Sequence, residues 1–242
     1  MRLKEKVVVV SGAGSGIGRQ IAIEAAEEGA HVLALDVHHE GLAATTARAE
    51  GIEGAVVDVT NAKAVNEIIQ NTVRQFGHID GLVHSAYWTN PKPLLETSTT
   101  DFDRTLDVVV KGAFFLGRAV IPVMLANQGG VIIPIASVHS VLGFSNFFAY
   151  QIAKAGLLGY VRSIAVDYGP SVRSVALAPG AIDTPALSDT AADVRESLVE
   201  KSLAKRIGTA HDVARAAVYL LSDESSFMTG TLLLLDGGWS AI

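Results

Sequence analysis

The chain has no cysteine in 242 residues, which removes disulfides, thiolate nucleophiles and zinc-thiolate sites and is compatible with a reducing cytoplasm. Seven histidines remain as possible ligands, and none falls at metal-ligand spacing. His38 and His39 are neighbours on what reads as a solvated loop, so no metal is expected. Basic residues are in the minority, with 19 Lys and Arg against 25 Asp and Glu and a formal charge of -6. No basic cluster interrupts that balance, and neither nucleic acid nor an anionic membrane is an expected partner. Long apolar runs are scarce too. Val7 to Val10 is followed at once by Gly12, too short for a signal peptide core, and Arg118 breaks the longest other candidate, so no membrane span is expected. These absences predict a soluble, cytoplasmic protein.

What is present is a chain with 49% hydrophobic and 18% charged residues, enough for one substantial core and one domain spanning 1-242. Short β-branched runs alternate with longer helical patterns, which predicts an α/β fold with a doubly wound parallel sheet of Rossmann type, helices on both faces. Val7 to Val10, His31 to Leu35, Gly54 to Val57, Ile79 to His84 and Val131 to Ile135 read as strands. Thr60 reads as the cap of a helix with Val65, Ile68, Ile69, Thr72 and Phe76 on its apolar face. Pro134 is out of place in such a strand, because proline cannot donate to the ladder.

The first strand ends in a glycine turn, Gly12, Gly16 and Gly18, that opens a helix. Such a turn lets backbone approach a pyrophosphate, and the helix N-terminus favours its charge. Asp36 ends the next strand, at the distance where a carboxylate accepts the ribose hydroxyls of a dinucleotide. Farther on, Tyr150 and Lys154 stand four apart, on one face if that segment is helical. An ammonium beside a phenol favours the phenolate, which suits acid/base chemistry. Ser137 closes the fifth strand just before them.

With Gly12-x-x-x-Gly16-x-Gly18, Asp36, Asp58, Ser137, Tyr150-x-x-x-Lys154 and Pro179-Gly180 in this order, the chain resembles the short-chain dehydrogenase/reductase family over nearly its whole length. The resemblance implies an oxidoreductase in which Tyr150 is the general acid/base, Ser137 orients the substrate oxygen, and Lys154 lowers the phenol pKa and holds the nicotinamide ribose. It implies an NAD site made by Gly12, Ser15, Gly16, Ile17, Gly18, Asp36, Asp58, Val59, Ser85, Ala86, Tyr150, Lys154, Pro179, Gly180, Ile182 and Thr184, with a mobile lid at about 183-204. Tyr87, Trp88, His139, Phe144, Phe147 and Leu187 read as a mainly apolar substrate pocket.

Three departures from the family pattern lie near this site. His84-Ser85-Ala86-Tyr87 stands where Asn-Asn-Ala-Gly is usual. Val109 stands where an Asn accompanies a water of the proton relay, and Ser174-Val175 replaces Val-Asn. The expected activity is interconversion of a secondary alcohol and a ketone with NAD(H). The alternatives are an NADPH-dependent carbonyl or 3-oxoacyl reductase, disfavoured by Asp36, and a non-catalytic dinucleotide-binding or scaffold protein, disfavoured by the retained Ser137, Tyr150 and Lys154. The segment from Phe148 to Tyr168 is apolar around most of a helix, which predicts a homo-oligomer, a tetramer or dimer.

Overall fold

In the computed structural model, which describes residues 1–188 and 190–241, the β-branched runs form strands close to where the pattern puts them. In chain order the elements are β1 (Val7–Ser11), α1 (Gly16–Glu27), β2 (His31–Asp36), α2 (His39–Thr46), β3 (Ile52–Val56), α3 (Ala62–Phe76) and β4 (Gly81–His84). After them come α4 (Thr99–Leu106), a π-helical turn (Asp107–Lys111), α5 (Gly112–Leu125), β5 (Gly130–Pro134), α6 (Phe148–Tyr168) and β6 (Val172–Pro179). The chain ends with β7 (Ile182–Asp183), α7 (Ala192–Lys201), β8 (Gly208–Thr209), α8 (Ala210–Leu221) and β9 (Thr231–Leu235).

Seven strands form one parallel sheet in the order β3-β2-β1-β4-β5-β6-β9. β1 is apolar or small at every position and wholly buried, because helices cover both of its faces. Val8 and Val10 meet Ile21, Ala22, Val213 and Ala217 of α1 and α8 on one face. Val7 and Val9 meet Val65, Ile69, Leu116 and Val120 of α3 and α5 on the other. Strand order reverses at β1, between β2 and β4, so the carboxyl ends of these strands open a crevice there.

Several expectations need correction. Asn61, not Thr60, caps α3, accepting from the Ala64 amide at 3.1 Å, because Thr60 is already bound through its amide and hydroxyl to the Asp58 carboxylate. His39 opens α2 rather than lying in a loop, although both histidines are exposed. Pro134 sits between the Ile132–Ser174 and Ile135–Leu177 pairings, at a gap in the β5–β6 ladder, so its missing N–H breaks nothing. Finally, α4, the π-turn and α5 run on as one stretch, Thr99–Leu125, long and apolar enough to cross a membrane by length and composition, despite Arg118. Half of its most apolar window is buried within the protein, with Leu116, Val120 and Met124 in the core, which accounts for its composition as a central helix.

Candidate functional site

The crevice at the carboxyl ends of the strands is one continuous cleft of about 1180 Å³ running from Asp36 past Tyr150 to Trp239. That is room for a dinucleotide together with a small substrate. Every residue predicted for the cofactor, the chemistry or the substrate lines it except Gly18.

The turn after β1 is built for close approach. Gly12 has φ +67°, and a Cβ there would stand 2.6 Å from the Ala86 nitrogen. Gly18 does not line the cleft: a Cβ on it would lie 2.2 Å from the Gly12 carbonyl oxygen, so it sets how tightly α1 packs on the turn. The first turn of α1 holds no acidic residue and Ser15 makes no side-chain cap, which leaves amides at the cleft for a phosphate. At the end of β2 the Asp36 carboxylate accepts the Gly14 amide at 2.8 Å and the His38 amide at 3.0 Å, fixing its direction. Arg19 is bound beneath the turn by the carbonyls of Gly14 and Gly41 and the Thr45 hydroxyl, and it does not line the cleft. These residues fit the adenosine and pyrophosphate half of a dinucleotide.

Across the cleft, β5 leads into Ser137, whose Oγ accepts the His139 amide at 3.2 Å. Tyr150 and Lys154 lie one turn apart on α6, as their spacing predicts. Lys154 is 2% exposed, and its Nζ donates to the Ile135 carbonyl at 2.5 Å. The electrostatics differ from the expectation. Burial pushes the Tyr150 phenol above its ordinary range, a hydrogen bond with Ser137 opposes this, and Tyr87 adds to it. Burial also lowers Lys154 to about 7. In the protein alone, desolvation therefore outweighs the ammonium that spacing suggested would lower the phenol.

The family's Asn-Asn-Ala-Gly position holds a histidine with a definite place. His84 is 2% exposed; its Nδ1 lies 2.8 Å from Ser11 Oγ and its Nε2 3.1 Å from the Val109 carbonyl of the π-turn. A carbonyl only accepts, so Nε2 carries the proton and the Ser11 hydroxyl donates to Nδ1. Burial, and then the Lys154 charge, hold His84 down to about 4, so it stays neutral. His84 thus ties β1, β4 and the π-turn together, and the carbonyl of Val109, the residue at the family's relay Asn position, accepts from His84. Ser174 and Val175, the third departure, are core residues: Ser174 Oγ donates to the Ile132 carbonyl, and Val175 is fully buried.

Aromatic side chains wall the substrate end. His139 stacks on Phe144 with centroids 3.9 Å apart, Tyr87 meets Tyr150 edge-on at 6.1 Å, and Trp88 lies 4.4 Å beneath the Arg104 guanidinium. Phe144 in turn meets Trp239 at 5.3 Å. Trp239, Arg104 and Lys201 line the cleft and were not foreseen. The available signal was Gly237-Gly238, both at positive φ, which turns the C-terminal segment back over the cleft. The segment expected to be a lid contributes Thr184, Leu187, Val194, Leu198 and Lys201 to the cleft, and its Asp189 lies outside the described residues.

Comparison with known proteins agrees with this geometry. A family model described as enoyl-(acyl carrier protein) reductase matches residues 12–240. A 3-oxoacyl-(acyl-carrier-protein) reductase of Thermotoga maritima is 34% identical over 243 residues, covering 98% of this chain and 99% of the relative. Dehydrogenase/reductase SDR family member 6 of Danio rerio is 37% identical, covering 98% of each chain. The crystal structure of a levodione reductase superposes with a TM-score of 0.94 at 32% identity, covering 99% of both chains. The chain therefore belongs to the short-chain dehydrogenase/reductase family, as an oxidoreductase of carbonyl and alcohol groups with a nicotinamide dinucleotide cofactor.

Proposed function

We propose that the protein is an NAD(H)-dependent oxidoreductase interconverting a secondary alcohol and a ketone, with Tyr150 as general acid/base. The observation that carries this reading is a single cleft with Ser137, Tyr150 and Lys154 on one wall and, at its far end, an Asp36 carboxylate fixed by two backbone amides.

When bound, the nicotinamide supplies or accepts the hydride. The rest is done by the chain's own groups. Ser137 Oγ accepts the His139 amide and is hydrogen-bonded to Tyr150, and its hydroxyl is proposed to turn from the phenol to the substrate oxygen when substrate binds. In reduction Tyr150 gives its proton to that oxygen as the carbonyl carbon receives the hydride. In oxidation the Tyr150 phenolate takes the hydroxyl proton as the carbinol carbon gives up its hydride. Lys154, held by Ile135, faces the rings of Tyr150 and Tyr87 at 5.5 and 5.7 Å and stabilises the phenolate left after proton transfer. The segment at about 183-204 is proposed to close over the substrate, with Ile182 and Thr184 toward the carboxamide.

Cofactor choice follows from charge. A ribose 2'-phosphate would meet the Asp36 carboxylate, and Arg19 is engaged elsewhere. One unfavourable contact of about 1.4 kcal/mol is tenfold in binding, so kcat/KM should favour NADH over NADPH by at least that. Equal or better use of NADPH would instead support the carbonyl or 3-oxoacyl reductase reading.

Assembly is also proposed. Within one chain α6 buries Ala149, Ala153, Leu157 and Val161 on one side only. Ile152 and Val166 of α6 and Phe114 and Leu125 of α5 stay exposed, and beside Gly159 a Cβ would meet nothing within 4 Å. Exposed apolar side chains of this kind fit a second copy of the chain. Light scattering at micromolar concentration should return a dimer or tetramer mass; a monomer mass contradicts it. The lack of cysteine fits a cytoplasmic setting, where we place the protein.

A further inference from the structure

The oxidoreductase reading uses Ser137, Tyr150 and Lys154 but leaves His139, a polar side chain of the substrate wall next to them, without a task. His139 lines the cleft, yet its Nδ1 is shut away from solvent with no hydrogen-bond partner. An orphaned buried N–H is rarer and costlier than an unfilled lone pair, so the neutral ring carries its proton on Nε2. That nitrogen is not among the buried, unpartnered atoms and makes no bond within the protein, so it is open to the cleft. Burial, with the Lys154 charge second, holds the ring down to about 4, so it is neutral across the working range.

The ring is also fixed in direction. It stacks on Phe144 at 16° and meets Phe147 and Tyr150 edge-on at 72° and 82°, with the Tyr150 centroid 5.2 Å away. Its backbone amide meanwhile donates to Ser137 Oγ at 3.2 Å. One residue therefore holds Ser137 Oγ through its backbone and leaves a second donor facing the cleft that Ser137 and Tyr150 also line.

We propose that His139 Nε2–H binds a second acceptor oxygen of the substrate, so that the preferred ketone is a dicarbonyl compound whose other oxygen lies near the reacting one. This rests on the oxidoreductase reading and adds the substrate class to it. A substrate without that oxygen leaves the N–H dehydrated and unpaired, which is how a polar site rejects an analogue. Because His139 is only partly buried, the discrimination should fall well below that of a closed site, at about tenfold or more.

The test compares cyclohexanone with its vicinal diketone, both reduced with NADH, for the parent, His139→Phe and His139→Gln. The diketone is intrinsically more electrophilic, but equally so for every enzyme, so the readout is the change in the diketone-to-monoketone ratio of kcat/KM. His139→Phe keeps the ring stack and should lower that ratio about tenfold, mainly through KM for the diketone. His139→Gln, which restores an N–H donor, should recover part of it. NADH binding by fluorescence identifies a variant that has lost its fold, and His139→Gln then decides alone. A ratio unchanged in both variants, with the parent active, overturns this inference and leaves the oxidoreductase reading standing. A parent that reduces neither ketone contradicts both.

Discussion

Tyr150→Phe should lower turnover by about a hundredfold to ten-thousandfold, the range typical of a positioned acid/base group, while NADH binding changes little. The substitution removes one oxygen and keeps the ring that Tyr87, His139 and Phe147 pack against edge-on. Burial holds the phenol protonated at neutral pH, the form that donates to a ketone oxygen. Reduction should accordingly proceed at neutral pH. Oxidation, which needs the phenolate, should rise as pH rises, because a raised pKa delays ionisation. Steady-state rates with saturating NADH, and NADH fluorescence for binding, check both parts. Residual activity within tenfold of the parent would show that another group moves the proton. His139, held near 4, is poorly matched to that task above neutral pH.

The second large effect is on stability. Gly18→Ala should lower the melting temperature by roughly 6–12 °C, taking about 3 kcal/mol at ~2–4 °C per kcal/mol for a chain of this size. The new methyl would stand 2.2 Å from the Gly12 carbonyl oxygen and 2.7 Å from its carbon. Both are backbone atoms of a turn already pressed against Ala86, so α1 must lift away from β1. Gly143→Ala is the control: a Cβ there meets nothing within 4 Å and its φ is not in the left-handed region. Melting followed by circular dichroism distinguishes them. A Gly18→Ala protein as stable as the parent would mean that the turn and helix are less tightly joined than the structure has them.

How much could be read beforehand depended on how local each signal was. The glycine turn, Asp36 and the Tyr150–Lys154 pair were legible because a strand, a turn or one helical spacing sets them. The α3 cap was misplaced by one residue because Thr60 and Asn61 can both cap, and only the structure shows Thr60 already taken by Asp58. His84 read as a loss because its two partners lie 73 and 25 residues away. Trp239 and Arg104 reach the cleft through tertiary folding, which no local pattern encodes. The direction of the Tyr150 shift was missed for a different reason: spacing reveals a neighbouring charge, but desolvation depends on walls such as Phe147 and Tyr87.

The central claim is that this cleft passes a hydride from NADH to a carbonyl carbon while Tyr150 supplies the proton. It is tested most directly by reducing the vicinal diketone with NADH labelled by deuterium at the transferring position, then reading the product by mass spectrometry. The account predicts one deuterium on the new carbinol carbon for the parent and almost no product for Tyr150→Phe. Product without the label, or labelled product formed equally fast by Tyr150→Phe, would contradict it.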